Sequence, residues 1–274
     1  MNDQNLAFIG AGNMATSLIS GLVRDGYPPG CIRVSDVDAS QSARVSERLG
    51  VVAVDTNLLA AASADVVILA VKPQYAMPVL KELSPCLQGR DVLLISVAAG
   101  IGCESLSLWA GGCRTIVRAM PNTPAMVQCG ATGLYAMAEV SESQRARAES
   151  ILRAVGLTVW VKQETQMDVI TALSGSGPAY FFLLMEAMAE AGLALGLDQE
   201  VATLLAQQTA LGAGRVAIES DELPGMLRQR VTSPGGTTER ALRVFAEADF
   251  KGLVLRAMDS AAQRAAELSK EYGG

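Results

Sequence analysis

The 274-residue sequence contains no histidine at all. A histidine general base, a Ser-His pair and a histidine metal ligand are therefore excluded. The cysteines show no paired spacing typical of a metal or redox site, and we expect no metal. Any catalysis must rely on other side chains, on backbone groups or on a bound cofactor.

The sequence also has few aromatic residues and no run of basic residues. Aromatics make up 4% of it and hydrophobic residues 50%, so the core must be aliphatic, which suits parallel sheets and packed helices. The formal net charge of −6 argues against nucleic acid or an anionic membrane surface as the main partner. Residues 119–138 are uncharged, but prolines, Asn122, Gln128 and Gly130 interrupt them, which predicts no membrane span. Small molecules are the expected ligands.

The number and spacing of the cysteines favour a reducing compartment. There are five of them, an odd number, and we expect reduced, buried thiols. An apolar run that starts at Leu6 leads straight into a glycine turn, so we expect no secretory signal. Together these features predict a cytoplasmic protein. The cysteines are Cys31, Cys86, Cys103, Cys113 and Cys129.

Hydrophobic patterning divides the chain into two parts. Short apolar runs alternate with amphipathic stretches up to about Lys162, which is typical of βα units on a parallel sheet, whereas long Ala/Leu/Met-rich segments follow Gln166. The predicted fold is α/β, with a Rossmann-type dinucleotide-binding domain at 1–163 and an all-α domain at 164–274. The predicted strands are 6–9, 31–35, 66–71, 92–97, 114–118, 131–137 and 157–161, and the predicted helices are 13–24, 40–49, 57–63, 74–87, 141–155, 178–196, 198–219, 237–247 and 250–271.

The segment at 178–196 predicts an oligomer. It is apolar on nearly every side apart from Glu186 and Glu190, so we expect it to be buried. A helix this apolar in a small domain is often covered by a second subunit. We therefore expect an obligate homo-oligomer.

The segment LAFIGAGNMA, residues 6–15, predicts a dinucleotide site. Gly10 permits a tight strand-to-helix turn, Gly12 lets the backbone approach a pyrophosphate, and Ala15 allows close contact between helix and strand. The alternative is a tight turn with no ligand. At the end of the second strand, Asp36 could hydrogen-bond a ribose 2′-hydroxyl, face solvent or cap the next helix. Ser35 could hydrogen-bond a 2′-phosphate. The sequence therefore leaves both NADPH and NADH open as the coenzyme.

Polar or small residues follow three further strands, at the sheet edge where open α/β sheets bind ligands. The segments are 70–73, 96–100 and 118–124. Lys72 could contact ribose or phosphate, or be a solvated loop residue. We expect the three segments to line one crevice.

A second candidate site opens the helix at 237–247. The stretch 231–239 supplies four hydroxyls and two glycines, whereas a helix cap needs one hydroxyl. Backbone N–H groups at a helix N-terminus bind anions, so this loop predicts a carboxylate receptor. The alternative is a simple N-cap formed by Thr237.

Five strings of this sequence resemble pyrroline-5-carboxylate reductases. FIGAGNMA, AVKPQ, RAMPNTPA, SGSGPAYFF and VTSPGGTTERAL occur in that family's order and spacing, so the resemblance covers essentially the whole chain. It implies a Rossmann domain followed by a helical dimerisation domain, a homodimer or a ring of dimers, and reduction of the cyclic imine 1-pyrroline-5-carboxylate to L-proline. It also implies NADPH as the usual coenzyme, with NADH possible.

The resemblance also implies individual residue roles. Arg230 stands where some relatives carry an amide beside the cofactor, and Glu164 resembles an acidic residue near the proline site. The implied substrate residues are Ser233, Gly236, Thr237, Thr238 and Glu164. The implied cofactor residues are Gly10, Ala11, Gly12, Asn13, Met14, Ala15, Ser35, Asn57, Ala70, Val71, Lys72, Pro73, Ala98, Met120, Pro121 and Asn122.

Imine chemistry is compatible with the lack of histidine. Because a ring nitrogen can be protonated before hydride arrives, no acid has to protonate an alkoxide. Thr238 is therefore the candidate catalytic residue, because its hydroxyl is expected to accept a hydrogen bond from that nitrogen. A β-hydroxyacid dehydrogenase-like oxidoreductase is the alternative, but its catalytic lysine has no counterpart in 166–197, and a nucleotide-sensing regulator without turnover is another.

Overall fold

The structure is a computed structural model and describes residues 4–273. The described chain divides into two compact units. One comprises 4–176 together with 260–273, and the other comprises 177–259.

The first unit is built on one eight-stranded sheet of order β3-β2-β1-β4-β5-β6-β7-β8. All neighbouring strands are parallel except β6 and β7, which are antiparallel. The strand order reverses at β1, so the carboxyl ends of β1 and β4 border a crevice of the kind that binds ligands in open α/β sheets. The strands are β1 Leu6–Ile9, β2 Ile32–Ser35, β3 Val52–Ala53, β4 Val66–Leu69, β5 Leu93–Ser96, β6 Ile116–Met120, β7 Gly130–Ala136 and β8 Gly156–Trp160.

Helices cover the central strands, which are buried along their whole length. Their sequences are therefore almost entirely apolar. The predicted parallel α/β sheet is confirmed; β3 and α5 are short elements that the patterning did not reveal. The helices of this unit are α1 Asn13–Arg24, α2 Ala39–Leu49, α3 Asn57–Ala61, α4 Pro73–Leu87, α5 Cys103–Trp109, α6 Glu142–Arg153 and α7 Gln166–Ile170.

A π-helical turn follows α7 over Thr171–Gly175. The backbone N–H of Ser176 donates to the carbonyl oxygen of Thr171 at 2.8 Å, one residue further back than in an α-helix. Such wide turns occur frequently at functional sites.

The second unit is entirely helical, as predicted, although α10 was not foreseen. The expected burial of α8 is wrong for the single chain, because Phe181 and Phe182 are each 62% exposed. The stretch Gln166–Ala194 could cross a membrane by length and composition alone, and 17% of its apolar window is buried. The helices are α8 Gly177–Ala194, α9 Gln199–Glu219, α10 Pro224–Arg230, α11 Thr237–Glu247 and α12 Phe250–Gly273, the last of which continues into the first unit.

The five cysteines are free thiols, but the expectation that all are buried is wrong. Cys103 and Cys113 are buried, Cys31 and Cys86 are half-buried, and Cys129 is exposed. Cys129 follows the 3₁₀ turn Thr123–Val127, in which the apolar side chains of Met126 and Val127 are themselves exposed.

Candidate active site

The glycine turn between β1 and α1 leaves space where a pyrophosphate would lie. Gly10 has φ +102°, and a Cβ there would meet the carbonyl oxygen of Ala70 at 2.6 Å, so only glycine fits. A Cβ on Gly12 would meet nothing within 4 Å. One glycine is thus needed by the fold, and the other keeps the approach to the turn open.

The N-terminus of α1 is available to an anion. Gly12 is the N-cap residue, and no side chain caps the helix. The first backbone N–H groups of a helix lack intrahelical partners and attract phosphate oxygens. The turn therefore fits the diphosphate of a dinucleotide, which Asn13 and Met14 would bind through their backbone N–H groups.

Both residues considered for reading the ribose point to protein partners. Ser35 is buried, and its hydroxyl donates to Oδ1 of Asn57 at 2.9 Å. Asp36 accepts the backbone N–H of Ala11 at 2.7 Å through Oδ2 and that of Asp38 at 2.9 Å through Oδ1. The end of β2 thus holds the glycine turn in place.

The three other predicted cofactor segments follow β4, β5 and β6, so their residues share one edge of the sheet. Lys72 is exposed at the N-cap of α4, Ala98 is buried after β5, and Met120 is half-buried at the end of β6. Ala70, Val71 and Pro73 accompany Lys72, and Pro121 and Asn122 follow Met120.

Asn122 fixes the turn after β6. Its side chain accepts from the backbone N–H of Ala131 and donates to the carbonyl oxygen of Ser174, both at 2.9 Å. A Cβ on Gly175 would lie 2.7 Å from Cε of Met120, so the π-helical turn approaches this segment closely. The amide of Asn122 serves the protein itself, which leaves the backbone for any contact with a cofactor.

The burial of Arg118 beside this edge and its pairing with acidic residues were not predicted from the sequence. Arg118 on β6 is 6% exposed, and its guanidinium lies 3.3 Å from Oε1 of Glu164 and 3.6 Å from Oδ1 of Asp168. Glu164 also accepts the backbone N–H of Cys103 at 2.7 Å. Burial, followed by the Glu164 carboxylate, raises the pKa of the Cys103 thiol well above its usual range, and burial raises the pKa of Tyr135. An arginine within an apolar strand was the signal, because a buried cation needs acidic partners.

The loop before α11 lies in the second unit and is open. Gly236 is the N-cap of α11 and no side chain caps it, so the alternative in which Thr237 is the cap is wrong. Thr237 and Thr238 begin the helix, and Thr238 is half-buried. The Glu239 carboxylate accepts the backbone N–H of Gly235 at 2.8 Å.

Two residues near this loop have partners of their own. The carbonyl oxygen of Ser233 accepts the backbone N–H of Gly236 at 3.0 Å, which closes the turn. Arg230 pairs with Glu222 at 2.9 Å. Because this pair is exposed on both sides, it contributes little to stability.

Comparisons with known proteins give consistent results. Residues 164–268 match the family described as "Pyrroline-5-carboxylate reductase dimerisation", and residues 5–100 match "NADP oxidoreductase coenzyme F420-dependent". A pyrroline-5-carboxylate reductase of Pseudomonas aeruginosa is 50% identical over 100% of both chains.

Solved structures agree. A pyrroline-5-carboxylate reductase from Coxiella burnetii has a TM-score of 0.94 at 47% identity and covers 98% of this chain and 99% of that chain. The Plasmodium falciparum pyrroline carboxylate reductase with NADP bound has a TM-score of 0.85 at 28% identity, with the same coverage. The chain described here belongs to the pyrroline-5-carboxylate reductase family.

Proposed function

We propose that this protein reduces 1-pyrroline-5-carboxylate to L-proline with a reduced nicotinamide coenzyme, the last step of proline biosynthesis. The observation that carries the proposal is 50% identity over the full length to a reductase of this specificity. The open glycine turn is proposed to bind the coenzyme, and the loop before the uncapped start of α11 is proposed to bind the substrate. We also propose that 1–163 binds the dinucleotide and that 164–274 serves dimerisation and substrate binding.

The residues of the loop bind and orient the substrate. The hydroxyls of Ser233 and Thr237 and the first backbone N–H groups of α11, which lack intrahelical partners, offer several donors to a carboxylate, and the positive end of α11 strengthens them. Thr238 offers a neutral oxygen to the protonated ring nitrogen. Glu164 is proposed here as a further acidic residue of the substrate site.

A protonated imine needs no further acid from the protein. When bound, the reduced nicotinamide supplies the hydride that the imine carbon receives. The chain's own part is to hold the substrate in one orientation through hydrogen bonds to its carboxylate, which lowers the entropic barrier. This division of work suits an enzyme without histidine.

We propose NADPH as the preferred coenzyme and NADH as an alternative. A family relative holds NADP in its crystal structure, and the match over 5–100 is described as an NADP oxidoreductase. Steady-state kinetics with both coenzymes tests this, and a higher kcat/KM with NADH would contradict it.

We propose a homodimer, or a ring of dimers, assembled through α8. Its apolar residues are exposed in the single chain, and residues 164–268 match a dimerisation family. These observations favour burial of α8 against a second copy of the chain rather than in a bilayer. Light scattering at micromolar concentration should show at least a dimer, and a monomer would contradict the proposal. The free thiols favour the cytoplasm.

The activity is tested in both directions. The purified protein should oxidise NADPH when 1-pyrroline-5-carboxylate is added, and should reduce NADP⁺ with L-proline at alkaline pH. Activity with a β-hydroxyacid instead would indicate a dehydrogenase, and coenzyme binding without turnover would indicate a regulator.

A further inference from the structure

We infer that Asp36 is a positioning residue that holds the glycine turn in its binding shape, and that it does not set the choice between NADPH and NADH. This inference rests on the proposed function. An acidic residue at the end of the second strand of a dinucleotide-binding fold ordinarily reads the ribose 2′-hydroxyl. The contacts of Asp36 in this chain indicate a different role.

Both carboxylate oxygens of Asp36 accept backbone N–H groups. Oδ2 lies 2.7 Å from the nitrogen of Ala11, the middle residue of the Gly10–Gly12 turn, and Oδ1 lies 2.9 Å from the nitrogen of Asp38. Ala11 is 4% exposed, so water does not readily replace this acceptor. A carboxylate that turned toward a ribose would leave a buried N–H group without a partner, which is unfavourable.

The bond to Ala11 also determines which N–H groups remain for the coenzyme. With the N–H of Ala11 directed at Asp36, the chain reverses so that Gly12 is the N-cap of α1 in extended conformation. The uncapped end of α1 begins directly after Gly12, where a Cβ would meet no atom within 4 Å. The carboxylate thus acts on the pyrophosphate, which NADPH and NADH share, through the shape of the turn.

The neighbouring hydroxyl is likewise bonded to a protein side chain. Ser35 is 1% exposed, and its hydroxyl donates to Asn57, whose side-chain nitrogen in turn donates to Glu82 at 3.0 Å. The two residues at the end of β2 therefore both serve the protein.

Asp38 provides a matched control. It lies two residues from Asp36 and carries the same charge, but it caps α2 by accepting the backbone N–H of Ser40 at 3.0 Å. Asp38→Asn removes one charge at the same edge, keeps a good N-cap residue, and leaves the bond from Ala11 to Asp36 intact. It reports the effect of charge alone on the two coenzymes.

The experiment measures dissociation constants for NADPH and for NADH by nicotinamide fluorescence, with circular dichroism as the check of folding. We expect Asp36→Ala to weaken both coenzymes by about tenfold, because a charge-assisted hydrogen bond that shapes their common site is lost. The ratio of the two constants should stay within about threefold of that in Asp38→Asn, since through-space charge effects at an exposed edge are small. Asp36→Asn, which keeps one acceptor oxygen, should lie between wild type and Asp36→Ala.

Two results would overturn the inference. One is a ratio that moves toward NADPH by tenfold or more beyond the control, which would mean that Asp36 reads the ribose. The other is unchanged affinity for both coenzymes. If Asp36→Ala does not fold, the ratio of the two dissociation constants in Asp36→Asn is compared with that in Asp38→Asn, and the same two results would overturn the inference. A wild-type protein that binds neither coenzyme would instead contradict the proposed function.

Discussion

Substitution of Gly12 by valine tests the dinucleotide site directly. The residue has φ −69° and ψ −177°, an extended conformation that valine adopts readily. Its Cβ would meet no atom within 4 Å, so the added carbons lie in open space. Replacing glycine by valine at an N-cap should cost about 0.5–1 kcal/mol of stability. The variant should therefore fold.

The same carbons would stand where the coenzyme's pyrophosphate must approach the end of α1. Hydrogen bonds to a charged group contribute about 1.5–3 kcal/mol each, so the loss of two of them amounts to about 3–6 kcal/mol. The dissociation constant for NADPH should rise at least ~100-fold. Fluorescence titration of NADPH measures this, and a thermal melt by circular dichroism reports the fold.

Two other glycines complete the experiment. Gly30→Val places valine at an exposed position with nothing within 4 Å, and it should leave NADPH binding unchanged. Gly10→Ala puts a Cβ 2.6 Å from the carbonyl oxygen of Ala70 at φ +102°, so it should lower the melting temperature instead. If folded Gly12→Val binds NADPH as wild type does, the assignment of the turn to the coenzyme is wrong.

Four further predictions concern other residues. Thr238→Ala should lower kcat/KM by about one to two decades, whereas Thr238→Ser should retain most activity. The melting temperature of both variants should stay near wild type, because Gly236 and not a threonine is the N-cap. Full activity in folded Thr238→Ala would rule out the catalytic role of Thr238. Arg118→Met leaves two partly buried carboxylates without their cation and should reduce the free energy of unfolding by about 3–5 kcal/mol in urea titrations, and a loss below about 1 kcal/mol would contradict this. Thiol reagents followed by mass spectrometry should label exposed Cys129 in the native protein and buried Cys103 only after unfolding. Because the pKa of Cys103 is raised in the folded state, the unfolded thiol loses its proton first and the free energy of unfolding should fall as pH rises above about 9.

Hydrophobic patterning and turn residues were sufficient to predict most of the secondary structure. Helices 13–24 and 237–247 were predicted with the bounds that the structure shows, because glycine-rich turns mark where they begin and apolar residues mark one face. The parallel sheet followed from unbroken apolar runs. Short elements such as Val52–Ala53 and Cys103–Trp109 were missed, since they hold too few residues to show a period.

The residue types of the candidate site were also accessible from sequence. The open approach at Gly12 depends on residues close to one another in the chain, and local sequence therefore predicted it. At the start of α11 the sequence left an N-cap by Thr237 as an alternative, which the structure excludes. The burial expected for α8 from its sequence is not found in the single chain, because apolar composition does not specify which surface covers a helix.

The direction of the polar side chains was decided by tertiary structure alone. The sequence left Asp36 and Ser35 as rival readers of the ribose, whereas their partners, Ala11 and Asn57, lie 25 and 22 residues away. Arg118 meets Glu164 46 residues along the chain. A hydrogen bond or an ion pair forms only between groups that the fold brings within about 3–4 Å. Composition and periodicity specify which strands and helices form, but the contacts between distant residues specify what each polar group does.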